Sequence, residues 1–270
     1  MQPNRVKAAL KAGEIVSGPI VAETRTIGTI KKFKLAGHDF LFLDMEHAMF
    51  DWETMVDIVQ ASLAYDISPI VRATDLSYPL VARALDTGAQ GVIIPRVETR
   101  EQVEAAVSYA KYPPIGRRGA GGDGRTAFEA MSVKDAVDFL NDETLVIVQI
   151  ESQAGLDAIE EIVSVPHLDV VLIGPQDLSI SLGLHGEFTH PDFVEALREV
   201  VAPFSPQAVA ARVGAKAAEI EVAFWGAVKR AAKTVHHHDD FGSAKAHLQN
   251  RRLMRQKVTT LNRVVGMDDR

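Results

Sequence analysis

Short apolar runs rich in β-branched and aromatic residues recur along the chain, each bounded by turn residues and followed by a stretch of helical periodicity. The clearest are Phe40–Leu43, Pro69–Val71, Gly91–Ile94, Leu145–Ile150 and Val170–Ile173, with a first strand expected near Gly18–Ala22. Between them lie amphipathic segments, Trp52–Ala64, Pro79–Thr87, Arg100–Tyr109 and Ala154–Val163. Strands apolar at successive positions, alternating with helices, are what a parallel sheet covered on both faces requires. Six strands precede residue 175, and a closed sheet of eight needs two more; Arg212–Ile220 and Thr234–His238 are the expected seventh and eighth. A doubly wound open sheet is the architectural alternative, but no G-x-G-x-x-G run follows an early strand to favour it.

The polar residues decide between the two. Asp44, Glu46 and His47 follow the second run, Arg72 ends the third, Pro95 and Arg96 follow the fourth, Glu151 the fifth and Asp177 the sixth. In a (β/α)8 barrel the active site is assembled from strand carboxyl ends and the loops after them, so such residues converge although distant in sequence. The expected fold is therefore a (β/α)8 TIM barrel, a single domain over residues 1–270 whose last part, about 200–270, is atypical.

Composition narrows the chemistry. With 47% hydrophobic and 24% charged residues, the chain has ordinary globular composition and can bury a sizeable core. A formal charge of −7 and the lack of a basic face argue against nucleic acid as a partner. There is no cysteine, so any metal must be held by oxygen and imidazole. No apolar run reaches membrane-spanning length and the first residues lack a signal-peptide core, so a soluble cytoplasmic protein without a membrane partner is expected.

Glu151 and Asp177 lie about one βα unit apart, and two carboxylates at adjacent strand ends can share a hard divalent cation while leaving positions for water and substrate. The same spacing also fits an ordinary strand-end acid and a helix cap. In Asp44-Met45-Glu46-His47, strand alternation sends the two acids the same way and leaves the histidine to turn in from the loop; a histidine oriented by an acid is a general-base arrangement, though a structural histidine fits equally. Arg72 at the mouth offers a fork for a carboxylate or an enolate oxygen, or a structural ion pair with one of those acids. The stretch from Tyr112 to Gly122, with two prolines, Arg117, Arg118 and several glycines, reads as a loop approaching a ligand or another subunit, and lacks the Gly-Lys-Ser/Thr of a phosphate-binding loop. His236, His237 and His238 are consecutive and cannot easily converge on one ion.

Taken together, these pieces resemble the HpcH/HpaI aldolase family, the class II pyruvate-dependent aldolases. The matching segments are Leu43–His47, Pro69–Arg72, Leu85–Ala89, Pro95–Thr99, Tyr112–Gly119, Val148–Glu151 and Ile173–Ser179, in family order from about residue 5 to 195. The resemblance implies a phosphoenolpyruvate/pyruvate-type TIM barrel that reversibly cleaves a 2-keto-4-hydroxy acid to pyruvate and an aldehyde. It implies a divalent metal (Mg²⁺, Mn²⁺ or Co²⁺) on Glu151 and Asp177. Arg72 would bind the pyruvyl portion and stabilise the enolate, and His47 paired with Asp44 would act as base. Gln149 and Gly174 would touch the substrate, Gly174 rather than Pro175 as the amide donor because proline has no N–H. Glu46, Asp86 and Arg118 are supporting candidates, Asp86 from a neighbouring subunit, and a homo-oligomer, a hexamer built as a trimer of dimers, is implied. Residues 200–270 depart from the family pattern. The alternatives are a citramalyl- or malyl-CoA-type lyase on the same barrel and a non-catalytic barrel used for binding. The early Asp44–His47 motif speaks against the first, and the full set of site residues against the second.

Overall fold

The computed structural model describes residues 2–201 and 221–223. They divide into two compact units, the first formed by residues 2–95, 101–148 and 166–169, the second by 96–100, 149–165, 170–201 and 221–223. In the first unit β1 (Ile20–Val21), β2 (Phe40–Asp44), β3 (Ser68–Arg72), β4 (Gly91–Ile94) and the start of β5 (Leu145–Ile150) pair in chain order, all parallel. The helices are α1 (Arg5–Lys11), α2 (Ile27–Leu35), α3 (Trp52–Ala64), α4 (Tyr78–Asp86), α5 (Arg100–Ala110) and α6 (Val133–Glu143), so successive parallel strands are joined by helical crossovers. In the second unit, α7 (Gln153–Asp157) and α8 (Ile159–Val163) lead from the end of β5 to β6 (Val170–Ile173). After α9 (Pro175–Ser181) and α10 (Pro191–Val201), β7 (Glu221–Ala223) pairs parallel with β6.

Strands β2 to β6 are buried at every position, which accounts for their unbroken apolar runs. Helix α3 shows how the polar pattern sets an element's limits. Asp51 accepts the N–H of Thr54 at 2.7 Å and so caps the first turn, and Met55, Ile58, Val59 and Ser62 recur at helical spacing on its buried face.

Several boundaries differ from the sequence expectation for local reasons. The first strand is only Ile20–Val21: Pro19 has no N–H for the ladder, and a Cβ on Gly18 would lie 2.1 Å from the carbonyl oxygen of Phe40. Strands two and three run one residue further, to Asp44 and Arg72, whose side chains find each other across the register. The expected helix Ala154–Val163 breaks at Ala158, which ends α7 with φ −95° and ψ 6° and begins α8. The seventh described strand is Glu221–Ala223, with Val222 opposite Val171; the expected Arg212–Ile220 is not among the described residues. The span 202–220, the expected eighth strand Thr234–His238 and the run His236–His238 lie outside the described residues.

A polar network fixes the amino ends of the strands. Asn4 is buried and donates its side-chain amide to the carbonyls of Gln90 at 2.8 Å and Glu143 at 2.9 Å, tying α1 to the starts of β4 and β5. Lys7 pairs with Asp169 at 2.8 Å. Lys111 is buried and donates to the carbonyls of Asn141 at 2.7 Å and Thr144 at 2.6 Å. Burial, then the nearby positive charge of Lys7, lowers its pKa from 10.5 to about 8. Because the unfolded chain holds that proton up to the ordinary value, the penalty is full below about pH 8 and is relieved as pH rises toward 10.5. Stability measured by denaturant titration should therefore rise over this window, with a slope from this group of at most about 1.4 kcal/mol per pH unit. Lys111→Met should lose that slope.

Candidate active site

The first unit presents an acid, an arginine and a histidine at the carboxyl ends of β2 and β3. Asp44 and Arg72 are opposed in the parallel register, each the last residue of its strand. Arg72 is 8% exposed, and its guanidinium makes a two-pronged pair with Asp44, Nε to Oδ1 at 2.9 Å and Nη2 to Oδ2 at 2.6 Å. Its Nη1 lies 3.0 Å from Oε2 of Glu46, and its plane sits over the ring of Phe42 at 5.2 Å. Two of the five guanidinium N–H groups donate to Asp44, and Nη1 faces Glu46 as an ion pair.

Asp44 also accepts the backbone N–H of Glu46 at 2.9 Å and of His47 at 3.3 Å, so the same carboxylate shapes the turn that carries the histidine. Burial pushes the Asp44 carboxyl up, but the hydrogen bond and charge of Arg72 and the two backbone donors together outweigh it and hold the group below its ordinary value. The expected pairing of the His47 ring with Asp44 is corrected here. Asp44 meets the His47 backbone, and the imidazole Nε2 lies 3.8 Å from Oε2 of Glu46. Arg72 occupies both oxygens of Asp44, so the histidine is left with the second acid. The His47 side chain is 67% exposed, open to a ligand and to solvent.

Asp86 and Arg118 form a separate ion pair at 2.7 Å in the same unit. Arg118 is buried against the face of Tyr112, 4.8 Å from the ring centre. Within this chain Asp86 anchors the proline- and glycine-rich loop to α4. A cavity of about 240 Å³ at the amino ends of β4 and β5, lined by residues including Gln60, Gln90, Arg125 and Leu140, contains none of the candidate site residues.

The second unit holds the other acids. Glu151 follows the last residue of β5 and is 5% exposed. Its Oε1 accepts the backbone N–H of Arg96 at 2.8 Å, and its Oε2 accepts the side-chain amide of Gln149, two residues back on the same strand face. The Oε1 of Gln149 is buried and has no hydrogen-bond partner among the described residues. Gly174 closes the third side: a Cβ there would fall 2.3 Å from Oε2 of Glu151 and 2.6 Å from Nε2 of Gln149. The N–H of Gly174 donates to the carbonyl of Ile150 at 3.0 Å, which corrects the expectation that it serves as an amide donor for substrate. What Gly174 contributes is the absence of a side chain. Pro175 opens α9 at a position whose missing N–H costs nothing, and Asp177 stands exposed in the first turn, where the helix dipole favours a carboxylate.

These residues fit a divalent cation of the hard, oxygen-seeking kind. Glu151 and Asp177 are the carboxylates that would serve as ligands, and the unpartnered Gln149 oxygen is an acceptor for water. Among the described residues no group of three or more His, Asp or Glu could hold an ion, so substrate and water would complete the shell. The contribution of Arg96 was not legible as a ligand signal, because it is made by the backbone and not by the residue's chemical type.

A family model described as HpcH/HpaI aldolase/citrate lyase matches residues 24–229. The chain is 36% identical over 189 residues, 70% of its own length and 70% of the relative's, to the 2-keto-3-deoxy-L-rhamnonate aldolase of Escherichia coli. It is similar in structure to an HpcH/HpaI aldolase from Desulfitobacterium hafniense, with a TM-score of 0.72 and 29% identity over 88% of this chain and 99% of that one. An HpcH/HpaI aldolase/citrate lyase family protein from Burkholderia cenocepacia matches with a TM-score of 0.73 and 30% identity, over 96% and 99% of the two chains.

Removing Arg72 would strand two buried acids. Arg72→Met should destabilise the protein at neutral pH by about 3–5 kcal/mol in urea titration. Because the Asp44 carboxyl sits low in the folded state, its stabilisation is present above the ordinary value of 3.8 and is lost as pH falls through the folded value. The variant should therefore lose less stability on acidification than the parent.

Proposed function

Because the chain belongs to the HpcH/HpaI aldolase/citrate lyase family, we propose that it is a metal-dependent class II aldolase that cleaves a 2-keto-4-hydroxy acid to pyruvate and an aldehyde. It is an enzyme of the aldolase type. The observation that carries the metal assignment is the cradle of Glu151, a buried carboxylate held by the Arg96 amide and Gln149 with space kept by Gly174. Glu151 and Asp177 would hold Mg²⁺, Mn²⁺ or Co²⁺, a Lewis acid that supplies positive charge to the 2-keto oxygen and the carboxylate of the substrate.

The protein's own groups do the rest. Cleavage removes the proton of the 4-hydroxyl, breaks the C3–C4 bond and leaves its electron pair on the pyruvyl half as an enolate, which takes up a proton to give pyruvate. His47 is the base, its imidazole Nε2 lying 3.8 Å from Oε2 of Glu46. Arg72, fixed by Asp44 and paired with Glu46, offers N–H groups on its Nη atoms to the carboxylate or enolate oxygen. Gln149 contributes its free amide oxygen to bound water or substrate. None of the described strands ends in a lysine, the group a class I mechanism would need for its Schiff base.

The reading extends to the finer features that the family resemblance supports: a single (β/α)8 barrel domain over 1–270 with an atypical part from about 200, a homo-oligomer of the trimer-of-dimers kind in which Asp86 serves a neighbouring subunit's site, Arg118 as a supporting residue, and a cytoplasmic location. No described helix is long and apolar enough to cross a membrane.

Incubation with pyruvate, Mn²⁺ or Mg²⁺ and a panel of aldehydes should yield 2-keto-4-hydroxy acids, detectable by mass spectrometry, and EDTA should abolish their formation. Arg72→Ala and Glu151→Ala should each lower kcat/KM by at least about 10²–10³-fold. Carbon–carbon bond formation that persists after complete metal removal would overturn the assignment.

A further inference from the structure

The cavity of about 240 Å³ in the first unit lies at the end of the strands away from the candidate chemistry. Gln90 and Thr144, the residues immediately before β4 and β5, are on its lining, whereas Asp44 and Arg72 close the carboxyl ends of β2 and β3 in the same parallel sheet. Its wall is built from directed contacts. Gln60 spends both hydrogens of its side-chain amide on the carbonyls of Thr87 at 2.6 Å and Gly124 at 3.1 Å, which ties α3 to the end of α4 and to the glycine-rich loop. Gly88 is packed so closely into that junction that a Cβ would fall 2.6 Å from the carbonyl oxygen of Gly124.

Arg125 supplies the donor that the protein does not answer. Its Nε donates to the carbonyl of Gly122 at 3.0 Å, which fixes the guanidinium, while its Nη1 is buried and has no hydrogen-bond partner among the described residues. A buried N–H without an acceptor is costly, so an oxygen carried in by a ligand would relieve it. A simple anion is opposed, however, because Glu129 and Glu143 are on the same lining. Glu143 accepts the backbone N–H of Asn4 and forms no ion pair among the described residues. It ends α6 at the negative pole of that helix, whose last turn holds no basic residue, and the two lysines that reach this end, Lys7 and Lys111, are directed at the carbonyls of Asn141 and Thr144. A ligand that brings both an anionic oxygen and its own positive charge suits such a lining. Leu63, Phe139 and Leu140 add an apolar surface to it. The volume is below the roughly 300–1,000 Å³ usual for larger ligands, which restricts the occupant to a small molecule.

We infer that this cavity is a binding site for a small apolar α-amino acid: the carboxylate meets Arg125, the ammonium group meets Glu143, and the side chain lies against Leu63, Phe139 and Leu140. The site is independent of the aldolase assignment. Calorimetry and thermal unfolding of the purified full chain at neutral pH test it with leucine and with its two half-molecules, 4-methylpentanoate, which lacks the amino group, and 3-methylbutylamine, which lacks the carboxylate. Leucine should bind and raise the unfolding temperature, and each half-molecule should bind about 10-fold or more weakly, since each leaves one charged hydrogen bond unmade. Arg125→Gln and Glu143→Gln should each weaken leucine binding by about 10-fold or more, with circular dichroism confirming that the variants fold. Should either variant fail to fold, the comparison of the three ligands on the parent chain decides alone. No binding of leucine by the parent, equal affinity for leucine and either half-molecule, or unchanged leucine affinity in a folded Arg125→Gln would each overturn the inference.

Discussion

A charged guanidinium removed from water must be paired, and the pairing of Arg72 organises the first unit's candidate site. Arg72 and Asp44 end adjacent parallel strands in register, so the ion pair forms where the apolar runs stop. The same carboxylate accepts the N–H groups of Glu46 and His47, converting the strand end into a turn. One buried pair thus sets where the strands finish, which way the second acid faces and where the histidine is carried. A neutral residue at 72 would satisfy the core better, which is the physical reason to read the arginine as functional.

The second unit solves the opposite problem, a buried anion. Glu151 accepts the backbone amide of Arg96 and the side-chain amide of Gln149, which orient its two oxygens. Asp44, by contrast, takes both prongs of a guanidinium.

Much of this was legible in the sequence because it depends on residue type and period. Buried parallel strands must be apolar throughout, so β2 to β6 stand out as runs, and the polar residues after them mark the site end. Alternation placed Asp44 and Glu46 on one side, and both do meet Arg72. The partner of the His47 ring was not readable, because the competition between Arg72 and the imidazole for the Asp44 carboxylate is a matter of three-dimensional reach. The role of Gly174 was misread for a similar reason: its N–H is committed to Ile150, a pairing that depends on how far the β5–β6 ladder continues.

Gly174 also bears on how this catalyst could be diversified. Any side chain there would press on both Glu151 and Gln149 at once. A saturation library that includes position 174 would therefore spend its diversity on clones with a displaced carboxylate, and directed evolution toward new aldehydes would do better to leave that codon alone and vary the exposed Met49, where a changed side chain has room.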